Sequence, residues 1–166
     1  VATATINYAS AASITCTLTS LASAGWRQSA EVSNTTNKYI DALVAGSIQA
    51  GSVTADGTIE VYAYGSIDGT VYSGGLGTTD QGITWGTTGS TSVHGYNQLK
   101  LLQVLDVDDT DDNEDIEFGP VSVASVFGGV LPEKWGVIVK NNTGASLHAT
   151  GTNNAIKYQG IKFDSA

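Results

Sequence analysis

The sequence predicts an all-β fold, an antiparallel β-sandwich of jelly-roll type, on three observations. Residues suited to a pleated, half-buried surface (Val, Ile, Thr, Tyr) recur throughout, while charged residues make up only 14% and methionine is absent, which leaves few good helix formers. Glycine occurs 20 times and supplies the turn conformations that many short strands require. The best-patterned segments alternate with period two and fail the helical period. A chain of 166 residues fits one domain, and such a domain buries roughly 70% of the surface its unfolded chain exposes. The expected organisation is an extended N-terminal arm over 1–12 followed by a single β-sandwich domain over 13–166.

Residues 1–12 are small and weakly patterned, as in an arm that leans on another surface. The stretch 13–19 alternates and predicts a strand, with Cys16 among its apolar or small residues. The turn Asn34-Thr35-Thr36-Asn37 leads into a long strand over 38–48. Asp56-Gly57 is a strong turn signal and opens a strand over 58–67. There Ile59, Val61, Ala63 and Gly65 share one face, and Glu60, Tyr62 and Tyr64 the other, where the two tyrosines mark an outer surface or a neighbour's contact. Residues 73–97, rich in Gly, Thr and Ser around Trp85 and Tyr96, predict a long surface excursion. A strand over 99–107, an acidic turn over 106–115 and a strand beginning at Ile116 follow, and Pro120 assigns that strand to an edge or a bend. A clear strand over 134–140 ends at Asn141-Asn142-Thr143-Gly144, and two more are expected over 145–150 and 155–163. The total is roughly eight strands at sandwich spacing.

Charge and chemistry narrow the function. The formal net charge is −9 with only seven basic residues, scattered singly, which argues against a nucleic-acid partner. No apolar run approaches the ~20 residues of a membrane span, and the start Val1-Ala2-Thr3-Ala4-Thr5 lacks the pattern of a signal peptide. The lone Cys16 reads as a buried structural thiol, with no His or basic residue near it in sequence. Asp109, Asp111 and Asn113 imitate the start of a calcium loop, but Glu114 stands where glycine is needed and Pro120 where the bidentate Glu belongs, so a solvated acidic turn is expected. His94 and His148 lack metal-ligand spacing. There is no nucleophile elbow, and no phosphate cradle at Gly74-Gly75-Leu76-Gly77. The available Glu31, Glu60, Glu117 and Glu133 cannot be paired across a cleft from sequence. No catalytic residue, cofactor or metal site is assigned, and the expectation is a protein that is not an enzyme. Trp26, Trp85 and Trp135 admit a carbohydrate-binding module as the alternative, although aromatics are also the usual anchors of cores and interfaces.

A resemblance adds to this. The blocks Arg27-Gln28-Ser29-Ala30 and 34–44, Val61-Tyr62-Ala63-Tyr64-Gly65-Ser66-Ile67-Asp68-Gly69-Thr70, Phe118-Gly119-Pro120, 127–136 and Lys140-Asn141-Asn142-Thr143-Gly144 resemble virion proteins of tailed bacteriophages. The likeness runs from about residue 13 to the C-terminus, and the order of the blocks is more specific than any one of them. It implies a jelly-roll cement or decoration protein on the phage head that binds the major capsid protein and stabilises the capsid surface. A homo-oligomer, in the first place a trimer, is implied with it, and a tail-associated receptor-binding role fits the same blocks. No catalytic motif comes with the resemblance.

The partner surface is expected in two places. Phe127-Gly128-Gly129-Val130-Leu131-Pro132 is an apolar, Gly-broken connection between strands, either a corner plugging the sandwich or a contact in which Phe127 and Leu131 anchor a neighbour. The arm, with Val1, Ala2, Ile6 and Tyr8, is expected to reach across that neighbour.

Overall fold

The structure is a computed structural model that describes residues 3–75, 77–85, 98–150 and 153–165. Eleven strands appear among these residues: β1 (Ala4–Tyr8), β2 (Ala12–Ile14), β3 (Trp26–Gln28), β4 (Val32–Ser33), β5 (Asp41–Gln49), β6 (Gly57–Ser66), β7 (Gln81–Ile83), β8 (Lys100–Val107), β9 (Asp115–Ser122), β10 (Lys134–Asn142) and β11 (Ala155–Ser165). The only helical segments described are short 3-10 turns at Ser73–Gly75 and Ala124–Phe127.

All pairings are antiparallel. One sheet runs β1-β11-β5-β9, with β2 continuing along the β1 edge of β11; the other runs β7-β3-β10-β6-β8, with β4 continuing along the β3 edge of β10. With β1/β2 and β3/β4 each counted as one interrupted strand, this is the interleaved order of a jelly roll, with β7 added at one margin. Successive strands alternate between sheets except at β6–β7–β8. The roll has eight positions, two of them broken. Six of the expected strands fall wholly or largely on them, the strand expected over 13–19 only touches β2, the one expected over 145–150 has no counterpart, and the β3/β4 position was not expected.

The core between the sheets follows the alternation. Ile59, Val61 and Ala63 of β6 meet Ala42, Val44 and Ile48 of β5, Val137 and Val139 of β10, and Trp135 packed edge-on against Tyr158. Pro120 lies on an edge strand as expected, after a cis Gly119-Pro120 bond, where Gly119 and Pro120 together oppose one residue of β5. That bulge needs glycine: Gly119 has φ 78°, and a Cβ there would lie 2.3 Å from the Val44 carbonyl oxygen.

Several expected boundaries move, each because side chains compete with the ladder. The strand expected over 13–19 stops at Ile14, since the Thr17 amide and hydroxyl turn to the Asp80 carboxylate and Leu18 drops into the core. The strand expected from 38 starts at Asp41, because Asn34 closes a loop on Tyr39 through both its amide groups and Lys38 takes a left-handed conformation. No strand forms at 145–150. Asn141 and Thr143 hold the Ala145 carbonyl, and Leu147 is buried as a single plug whose amide bonds Leu21. The arm is extended, but Ala4–Tyr8 pairs with the molecule's own last strand.

Tyr64 is the largest departure. It is fully buried, because the chain after β6 folds back over the outer face of its sheet. Tyr72, Ile83 and Leu99 join Tyr64 and Ile138 in a second apolar cluster, flanked by Trp26, Tyr62 and Trp85. The ring of Tyr64 lies over Gly136, its cross-strand partner, where a Cβ would fall 2.5 Å from the ring. Its hydroxyl donates to the Ser29 carbonyl at 2.9 Å.

Candidate functional site

The ends of the roll differ. At one end the turns after β5, β8 and β10 meet: the Asn113 amide bonds Gly51, the Ala50 amide bonds Glu114, and the His148 amide bonds Gln49. This tip holds Asp56, Asp108, Asp109, Asp111, Asp112, Glu114 and Asp115. Their carboxylates serve the backbone, with Asp111 accepting from the Asp108 amide at 2.8 Å and Asp56 from the Asp109 amide at 3.2 Å. Among the described residues no group of carboxylates, His or Cys is arranged to hold a metal ion.

The opposite end gathers exposed apolar side chains: Ile40 between β4 and β5, Ile67 and Val71 after β6, Val130 before β10, and Ile6, Tyr8 and Phe163 of the terminal strands. Ile67 and Val71 are held outward by a rigid turn, since Asp68 accepts from the Thr70 and Val71 amides at 2.8 and 3.0 Å and from the Ser66 hydroxyl. A shallow hollow of about 420 Å³ opens between Asn34, Lys38, Tyr39, Ile40, Val130 and Glu133.

The terminal strands form a ribbon. β5 covers β11 only from Ala155 to Ile161, so residues 162–165 pair with β1 alone, and the β1 register sets Ile6 against Phe163 and Tyr8 against Ile161. Along β11 the even positions Ile156 and Tyr158 turn to the core, which puts Ile161 and Phe163 on the outer face together with Ile6 and Tyr8. Ile6 is 60% exposed, Tyr8 57% and Phe163 58%. The other face is polar: Asn7 donates to Asp164 at 2.6 Å, and Lys162 pairs with Asp164 at 3.1 Å. The face of Ile6, Tyr8 and Phe163 runs on into the outer side of the β1-β11-β5-β9 sheet, where a second hollow of about 300 Å³ is bordered by Leu43, Ala45 and Pro120 together with the polar Lys157 and Gln159.

The expected contact residues therefore divide. Ile6 and Tyr8 sit on the exposed ribbon. Leu131, expected as an anchor or a corner plug, is 4% exposed and packs into the end of the core, its amide bonded to the Ile40 carbonyl. Phe127 is half-buried against that core, over Gly65. Val1 and Ala2 lie outside the described residues, as do His94 and Tyr96. Phe163 and Val130 are exposed apolar side chains that sequence reasoning did not single out. For Phe163 a signal exists, because the apolar residues of β11 change phase from Ile156 and Tyr158 to Ile161 and Phe163 across Gly160.

Ionisable groups elsewhere are tied into partly buried pairs on the covered sheet. Arg27 meets Asp80 at 2.6 Å, Lys134 meets Glu31 at 3.0 Å, and Lys140 meets Glu60 at 3.0 Å, with Tyr72 and Tyr62 donating to Glu31 and Glu60. Burial acts to raise the Glu31 carboxyl, but hydrogen bonds from Tyr72 and Lys134 and the lysine charge outweigh it and hold it below the usual range. Asp80 follows the same balance, lowered on net by Arg27 and Thr17 against its burial. Cys16 is pushed up to about 12, first by burial and then by Asp80, with Arg27 opposing, so the thiolate is disfavoured at neutral pH. Trp26 and Trp85 meet edge to face at 79°, which builds no flat stacking platform from that pair. Comparison of the chain with protein-family models, with curated proteins and with solved structures finds no match in any of the three.

Proposed function

We propose that the chain is a structural virion protein of the cement or decoration type, which binds the major capsid protein of a phage head and stabilises its surface. The observation that carries this reading is the concentration of exposed apolar side chains at one end of the roll, opposite a tip of carboxylates. Clustered exposed apolar surface marks a contact, and an acidic tip favours solubility. Seated with this apolar surface on the particle, the chain keeps its acidic tip off the contact. The phage assignment itself rests on the resemblance of the sequence blocks. With it come a homo-oligomer, a trimer where chains ring a three-fold point of the particle, and no part for nucleic acid, membrane or cofactor. No helix among the described residues is long and apolar enough to cross a membrane.

The test is binding to purified phage heads stripped of decoration, followed by sedimentation and electron microscopy. Saturable binding to the head surface, with heads then surviving heat or low salt better, is the expected result. Binding to tails alone supports the receptor-binding role instead. Binding to glycans with none to particles favours the carbohydrate module.

A further inference from the structure

Three edge strands are five residues or longer, β1, β8 and β9. Natural edges are guarded against pairing by charge, proline or bulges. β8 carries Lys100, Asp106 and a register break, and β9 carries Asp115, Glu117, Pro120 and another. β1, with the sequence Ala-Thr-Ile-Asn-Tyr, has no charge, no proline and no break in its pairing with β11. All five of its residues are exposed, and a two-stranded ribbon is marginally stable on its own in water.

We propose that β1 pairs antiparallel with β1 of a second copy, in a register centred on Ile6, so that two molecules share one continuous sheet. The strand is complementary to itself in that register. Ile6 faces Ile6, Ala4 faces Tyr8, and Thr5 faces Asn7 twice, so apolar residues meet apolar ones and groups able to hydrogen-bond meet their like. A two-fold axis through the Ile6 pair, normal to the sheet, keeps both apolar faces on the same side. Phe163 and Ile161 of each copy then extend one strip across the pair.

The self-complementarity of the strand commits this edge to a second copy, and the charge distribution permits it. Each chain carries −9, with the acidic tip at the start of β11 and the ribbon at its end. The proposed axis sets the two β11 strands antiparallel and sends the tips to opposite extremes, the arrangement in which like charges repel least. The biological setting of the contact rests on the assembly role proposed above. Being two-fold, the contact joins chains in pairs, separately from any ring around a symmetry point of the particle.

Sedimentation velocity of the full chain over a range of concentrations tests this, with circular dichroism to verify folding. The wild type is expected to dimerise. Ile6→Lys and Ile6→Glu, each placing like charges opposite one another, are each expected to raise the dissociation constant at least about tenfold. An equimolar mixture of the two is expected to restore the pair. Leu101→Lys, on the β8 edge, should change nothing. A monomeric wild type, a trimer indifferent to Ile6→Lys, or a mixture of the charged variants that stays monomeric each overturns the proposal. Head binding measured on the same samples separates the two readings: a monomer that binds heads overturns the pairing alone, and a pair that binds none overturns the particle role alone.

Discussion

The two sheets of this roll present opposite outer faces. On the β3-β10-β6 side the chain between β6 and β8 folds back and seals the face with a second apolar cluster around Tyr64 and Ile138, fastened at its margins by Arg27–Asp80 and Lys134–Glu31. On the β11-β5 side nothing among the described residues performs that service, and Leu43, Ala45, Ile161 and Phe163 look outward. Pleated strands present side chains on both faces, so an outer face that carries apolar residues is left exposed unless something else covers it. The difference between the faces is that one is covered within the molecule and the other stays exposed, which under the role proposed above is the face offered to a partner.

The sharpest way to break the contrast is to open the sealed face. Tyr64→Ala removes a fully buried ring lying over Gly136 and is expected to cost about 3–5 kcal/mol in denaturant unfolding. Tyr64→Phe keeps the ring, leaves the Ser29 carbonyl without that donor, and is expected to cost about 1 kcal/mol.

Acid should loosen the same face more gently. Glu31 and Asp80 are held below their usual range when folded, so on acidification the unfolded chain takes up protons first. The stability they contribute is complete above about pH 4, the ordinary carboxylate range, and is lost as pH falls through their lower folded values. Thermal unfolding followed from about pH 6 down to about pH 2.5 should show the loss. In an Asp80→Asn, Glu31→Gln variant the decline should be shallower.

On the open face, substitution should hardly touch the monomer. Phe163→Ser or Tyr8→Ser is expected to shift stability by no more than about 0.5 kcal/mol, as for exposed positions away from special features. Particle binding should weaken about thirtyfold for a true anchor, equal to about 2 kcal/mol. The smallest effect belongs to the acidic tip, where Asp109→Asn with Asp112→Asn should leave both stability and binding within about 0.5 kcal/mol of the wild type. A large loss of binding there would reverse the orientation assigned to the two ends.

Much of the roll could be read from the chain because its causes are local. Period-two alternation identifies β6 and the core face of Ile59, Val61 and Ala63, a short apolar run identifies β10, Asp56-Gly57 marks the turn before β6, and Pro120 places β9 at an edge or bend. These follow from backbone geometry within a few residues of the position read. The candidate site was legible only in part. Ile6 and Tyr8 emerge as exposed, whereas Leu131, read as a possible anchor, is a plug, and Phe163 was passed over.

What the tertiary structure alone decided is which face each alternating residue finds covered. Alternation says that Tyr64 points away from Val61, but its cover comes from Ile83 and Leu99, well along the chain. Likewise, Asn141 draws the Leu21 and Ala145 carbonyls away from any ladder and turns an expected strand into a loop. Strand direction and turn chemistry are properties of neighbours in sequence. Burial is a property of neighbours in space, and only the closed roll brings those together.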